Sequence, residues 1–229
     1  MTEFKDIGIS SRLDWPRITH LFRLGLFGAL LTLVGDMILG WGVEDTTLAG
    51  LPRMLSAYTG TSNAGLFAAA LLGMLGITVE ELCYFGVYRL MAERAPAYAH
   101  RYRAGIFGYV IFGSCGFHVP VCAMVFLAKH GLASELLWRY AVYFVLPAFA
   151  LFWVFFALLQ ITQIAAFAKG LTPYPRRCWI FCLPTGMAAA MLLNVLGNLP
   201  WVNALSCAWI SVGNLWMFAG LLAARKSAV

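Results

Sequence analysis

Asp36 stands inside an apolar run that extends from Leu24 to Trp41, long enough to cross a bilayer. On insertion scales an ionised aspartate at the membrane centre costs roughly 2.5 to 3.5 kcal/mol, so such a residue is expected to face a protein interior and to mark a site. The next apolar run carries Glu80 and Glu81, and the third places His118 at mid-depth. Acids and an imidazole gathered in a dry interior could exchange protons near neutral pH, which suits general acid–base chemistry on a lipophilic molecule or a proton-coupled binding site. Asp36, Glu80 and His118 are therefore the candidate catalytic residues, and Glu81, Tyr84, Ser114 and Asn214 the candidate substrate-binding residues.

Helical spacing supports one shared interior. Gly25, Gly28, Thr32, Asp36 and Gly40 recur at intervals of three and four, as do Gly73, Gly76, Glu80 and Tyr84. Ser114, Cys115, His118 and Cys122 form a third stripe, and Asn203, Cys207, Ser211 and Asn214 a fourth. Small residues at such spacing let membrane helices approach closely, and polar ones bond across the contact. Glu81 points about 100° away from Glu80 and is expected to bond a different helix. His118 precedes Pro120 and could instead serve backbone freed at a kink. Asn194 and Asn198 are expected to tie the fifth span to its neighbours, and Gln160 and Gln163 to lie at the membrane interface. Cys115, His118 and Cys122 are zinc-ligand types sharing a helical face, but the sequence nominates no fourth ligand. No metal is expected, and the six cysteines, none in a CxxC pair, are expected to be packing residues.

These residues need helices long enough to carry them across a membrane. The chain is 62% hydrophobic and 11% charged, with mean hydropathy +0.80, a surface that lipid demands and water does not tolerate. Apolar stretches predict six spans, at about 22–42, 65–90, 105–128, 139–167, 178–199 and 203–223, within one integral membrane domain over 1–229. The expected fold class is all-α, a six-helix transmembrane bundle, because backbone polar groups in hydrocarbon must be satisfied internally. Pro147 is expected to kink the fourth span, and the short Leu199–Val202 connection to make a tight hairpin of the last two.

Thirteen of the sixteen basic residues fall on one side if the N-terminus is inside, leaving only Arg53, Lys129 and Arg139 outside. The positive-inside rule then predicts both termini cytoplasmic and a multi-pass protein of the cell inner membrane. The charged N-terminal stretch, with Glu3, Lys5, Asp6, Arg12, Asp14 and Arg17, lacks a signal-peptide pattern, so the first span is expected to remain as an anchor. The Val43–Ala64 loop holds a modestly amphipathic piece, Leu51 to Tyr58, readable as a structured connector or as a short helix across the bundle mouth. The net charge of +6 lies at span ends, so anionic lipid headgroups rather than nucleic acid are the expected partners, beside a small lipophilic ligand. No cofactor is expected: there is no nucleophile elbow, HExxH, P-loop or GxGxxG.

Four segments carry a likeness: Leu33 to Trp41 around Gly35-Asp36, Gly116-Phe117-His118, Thr172 to Arg177, and Gly213 to Phe218. Together they resemble an uncharacterised family of bacterial multi-pass membrane proteins, known only as a domain of unknown function. The resemblance implies a bacterial inner-membrane protein of this size and brings no activity with it. Gly35-Asp36 also resembles lysoplasmalogenase-like membrane hydrolases, in those two residues only. Three functions stay open: a membrane-embedded enzyme or binding protein for a small lipophilic molecule, a small proton-coupled transporter, and a structural membrane protein.

Overall fold

The structure, a computed structural model, describes residues 13–228; Glu3, Lys5, Asp6 and Arg12 of the N-terminal stretch lie outside the described residues. Helix α1 (Trp15–Gly40) starts where the Asp14 carboxylate accepts the Arg17 N–H at 3.1 Å and Pro16 presets the first turn. The amphipathic piece of the first loop forms α2 (Gly50–Thr59). Ser62 then caps α3 (Asn63–Cys83), accepting the Gly65 N–H at 3.0 Å, and the run passes through Tyr84 into α4 (Phe85–Ala92).

Pro96 opens α5 (Pro96–Tyr109), which widens into a π-helical stretch, Val110–His118, before α6 (Val119–Lys129). The pattern repeats in α7 (Ser134–Tyr140), a π stretch at Ala141–Val145, and α8 (Leu146–Ala168). Each widened stretch ends two residues before a proline, Pro120 or Pro147. Proline lacks an N–H and its ring crowds the carbonyl one turn back; an inserted residue accommodates both. The chain closes with α9 (Leu183–Leu192), α10 (Pro200–Cys207) and α11 (Trp209–Ala223).

Among the described residues the regular structure is entirely helical. Four continuous helical runs are long and apolar enough to cross a membrane: Trp15–Gly40, Asn63–Ala92, Pro96–Lys129 and Ser134–Ala168. The pair α10 and α11, bent by 64°, makes a fifth if counted as one broken span. Where the hydropathy pattern led to a fifth span at 178–199, the apolar helix covers only Leu183–Leu196, preceded by a 3-10 segment at Arg176–Phe181. Large apolar side chains such as Phe27, Phe67, Ile111, Phe144, Val154 and Ile161 are exposed around the bundle, as lipid contact requires.

Helix α1 is the central strut, packed on α3 along one side and on α10 and α11 along another. A β-carbon at Gly28 would come 2.7 Å from the Glu80 nitrogen and 3.0 Å from the Gly76 oxygen; one at Gly35 would meet Ala69 and Gly73 backbone at 3.1 and 3.2 Å. The two backbones therefore touch, and residue 28 pairs with 76–80 while 35 pairs with 69–73, an antiparallel register. The single stripe expected on α1 in fact serves two neighbours. Gly28 and Gly35 face α3, whereas Gly25 faces Phe218 of α11 and Gly40 faces Ala204 and Cys207 of α10.

Candidate functional site

Asp36 lies near the end of α1, opposite the first turn of α11. The Ser211 hydroxyl donates to its Oδ2 at 2.8 Å, and His118 Nδ1 approaches its Oδ1 at 3.8 Å. His118 is held from behind: its Nε2 lies 3.0 Å from the Ala69 carbonyl oxygen on α3. A carbonyl can only accept, so Nε2 carries the hydrogen, and in the neutral ring Nδ1 turns a lone pair toward the acid. The imidazole reaches this carbonyl because residue 73 is glycine; a β-carbon there would overlap the ring. His118 therefore bonds a neighbouring helix and not its own kink.

Glu80 approaches the same place from α3. Cα–Cβ bonds tilt toward a helix N-terminus, so in the antiparallel pair the side chains of residues 36 and 80 lean toward one another across Thr32. Glu80 is fully buried, with Thr32 and Asn214 as polar neighbours, and neither carboxylate oxygen closes a hydrogen bond. Asp36, Glu80 and His118 together line a cavity of about 100 Å³, with Thr32, Tyr109 and Ser211 as further polar walls.

A larger cavity of about 470 Å³ adjoins it on the α2 side. Asp36 and His118 belong to both cavities. The remaining wall is mostly hydrocarbon and aromatic: Leu51, Met54, Leu55 and Tyr58 from α2, Phe117 and Val121, Val142, Val145 and Phe149, and Trp209 at the helix break. Burial above all, with the Glu44 carboxylate adding, pushes the Tyr58 hydroxyl well above its ordinary range, so this wall stays a neutral phenol.

The loop that leads into α2 is tied to α2 and to the far end of the chain. Ser56 Oγ accepts the Asp45 N–H at 2.8 Å, and the Asp45 carboxylate, held below its usual range by Thr47, receives the Thr47 hydroxyl at 2.6 Å and its N–H at 2.9 Å. Asn203 donates to the Gly42 carbonyl at 2.7 Å, and Asn198 donates to the Glu44 carbonyl at 3.3 Å. Asn194 receives the Ser206 hydroxyl, so both asparagines do tie this end of the bundle together.

The four candidate substrate-binding residues line neither cavity. Ser114 sits within 3.2 Å of both Thr78 Oγ1 and the Met74 carbonyl, a clamp between helices. Tyr84 donates to Asn214 Oδ1 deep in the aromatic core. Glu81 is fully buried on another face, in the electrostatic reach of Tyr84, Tyr102 and Tyr109, with both oxygens unpartnered. Gln160 and Gln163 are buried inside the bundle; Gln163 accepts from Tyr102 of α5 at 2.8 Å and donates to Met217 Sδ of α11 at 3.2 Å. Cys115 is exposed while His118 is buried: the π stretch turns residues three apart onto different faces, which dissolves the expected Cys115–His118–Cys122 group. Among the described residues no three of His, Cys, Asp and Glu are grouped as metal ligands. The cavity residues Tyr109, Phe117 and Trp209 were missed; Ser211 was visible as a stripe member, one turn from Asn214.

In the chain Ser211–Asp36–His118 the acid is central. A nucleophilic triad needs the imidazole between hydroxyl and acid to take the hydroxyl proton. Here the serine gives its hydrogen to the acid, and His118 Nδ1 stands 3.8 Å from the acid's other oxygen, so the arrangement does not activate Ser211.

No curated protein and no solved structure is detectably similar to this chain. The profile of a family of unknown function, DUF6796, matches residues 4–228, and the chain belongs to that family.

Proposed function

We propose that the chain is a multi-pass protein of the bacterial inner membrane that binds a small lipophilic molecule in the larger cavity. Asp36 and His118 meet the molecule's polar end and serve as proton donor and acceptor. In this arrangement six helices enter the membrane, both termini are cytoplasmic, and the α2 end faces outward. The four long runs, the bent α10–α11 pair and the short Leu183–Leu196 helix support the count, and the basic residues at the opposite end support the orientation.

The observation that carries the reading is the cavity itself. Its 470 Å³ lies in the range of ligand sites, its walls are mostly apolar, and a few polar groups gather at its floor. Purely structural acids would be expected to be packed over, not to front an apolar space. The test is native mass spectrometry of the protein released from its own membranes. A lipophilic adduct is expected at one per chain, lost in Val142→Trp, which fills the cavity from its wall. An adduct-free wild type, or equal retention by the filled variant, overturns the proposal. If Asp36→Asn retains the adduct but ceases to convert it, the enzyme form of the reading stands over simple binding.

A further inference from the structure

Glu80 has no task in ligand binding, because it lines only the smaller cavity and does not reach the larger one. It is fully buried, and both its carboxylate oxygens lack a partner. An acid left so in a dry interior is costly, and it needs either a counter-charge or water. No Lys or Arg is among the residues lining the smaller cavity.

The groups facing Glu80 are Thr32 and Asp36 on α1, Ser211 and Asn214 on α11, Tyr109 on α5 and His118 of the π stretch, while Glu81, next along its own helix, points to another face but stays within electrostatic reach. Apart from His118 these are acids, hydroxyls and an amide. A space of about 100 Å³ accommodates about three waters at liquid density. The polar residues lining it, Thr32, Asp36, Glu80, Tyr109, His118 and Ser211, are enough to offer that many waters the two or more partners that buried water requires.

We infer that the smaller cavity is a water site joining the Asp36–His118 pair to Glu80, and that it carries a proton between them. A proton leaving Asp36, either directly or after passing to the lone pair of His118 Nδ1 and leaving from there, adds to the nearest water. That water releases another to the next, and the last protonates a carboxylate oxygen of Glu80. No bond other than O–H and N–H changes, no electrons are transferred, and one negative charge passes from the Glu80 end to the Asp36 end. His118 suits the entrance because Ala69 occupies its Nε2 hydrogen, leaving Nδ1 as the exchanging nitrogen. Glu80 is the far terminus, displaced toward the end of the bundle where α3 ends. The inference rests on the geometry of the Asp36–His118 pair and needs no particular molecule in the larger cavity.

The experiment is infrared difference spectroscopy of the whole protein in lipid nanodiscs during an acid–base cycle, with no ligand added. The carboxylic C=O band removed by Glu80→Gln identifies Glu80. In wild type this band is expected to change together with the Asp36 band and with a water O–H stretching band that shifts in H2-18O. Asp36→Asn is expected to displace the Glu80 band, and Thr32→Val, which keeps the volume but removes a hydroxyl, to remove the isotope-sensitive water band. Independent changes of the two carboxyls, or no water band that shifts with the isotope, overturn the relay. Neither result touches the adduct measured by mass spectrometry, so failure of the relay and failure of the binding proposal are separable. Both glutamine and asparagine variants are near-isosteric, and a melting curve of each confirms that the spectra come from folded protein.

Discussion

The contact between Gly73 and His118 gives a quantitative test of how the site is built. A β-carbon at position 73 overlaps the imidazole ring, so Gly73→Ala must push His118 away from Ala69 and from Asp36. Overfilling a packed interior costs typically 1–3 kcal/mol, and leaving a buried polar group unsatisfied costs about 1–3 kcal/mol. The gain in helix propensity from Gly to Ala returns at most about 1 kcal/mol. The net loss is therefore about 1–5 kcal/mol. Gly60→Ala is the matched control, because a β-carbon there has nothing within 4 Å and its φ of −68° suits any residue. It should be neutral, or stabilising by up to about 1 kcal/mol. Unfolding of both variants in detergent micelles, followed by tryptophan fluorescence, measures the difference. His118→Ala removes the ring that Gly73→Ala strikes, so the double variant should be more stable than the sum of the single effects predicts, with a coupling of at least about 1 kcal/mol. Strict additivity, or a Gly73→Ala protein as stable as wild type, would show that the imidazole is not held over this glycine.

Three further outcomes follow. Gly186→Ala should destabilise by about 1–3 kcal/mol in the same unfolding assay, because its β-carbon would come 2.6 Å from Trp216 Cβ and 2.9 Å from the Gly213 Cα, neither of which is a flexible side-chain end. Ser211→Ala removes the 2.8 Å bond to Asp36 and should cost about 1–3 kcal/mol, with Ser211→Thr recovering part of it. Arg53→Ala breaks only the exposed 3.1 Å pair with Glu44 and should change stability by less than about 1 kcal/mol, an effect that disappears at high salt.

The long apolar helices were legible because a membrane-crossing helix must be apolar along its whole length, and runs such as Leu24–Trp41 meet that requirement residue by residue. The helical fold class follows from the same requirement. The segment read as a fifth span was not legible as the shorter apolar helix it is. Residues 178–182 are as apolar as those of a helix, yet Pro184 opens α9 and the chain before it turns as a 3-10 segment carrying Arg176 and Arg177. Hydropathy counts side chains and is blind to where the backbone starts a helix. The meeting of Asp36 and Glu80 was legible as a likelihood of shared interior. The antiparallel order of their two spans, with side chains tilted toward each N-terminus, would have carried it further.

What spacing could not supply is the register of a helix that changes pitch. Ser114, Cys115, His118 and Cys122 form a stripe only at 3.6 residues per turn, and Val110–His118 is wider than that. The widening sends Cys115 out to the surface of the bundle and keeps Ser114 and His118 inside, on the α3 side. The signal was present in the sequence as Pro120, read there as a possible kink. A proline inside a long apolar run also permits an inserted residue, and every face assignment before it then shifts. The same holds for Pro147, behind whose widened turn Val142 and Val145 reach the wall of the larger cavity. Two prolines thus decide which side chains of the third and fourth long helices look into the site, and a substitution such as Pro120→Ala acts on His118 through pitch and not through contact.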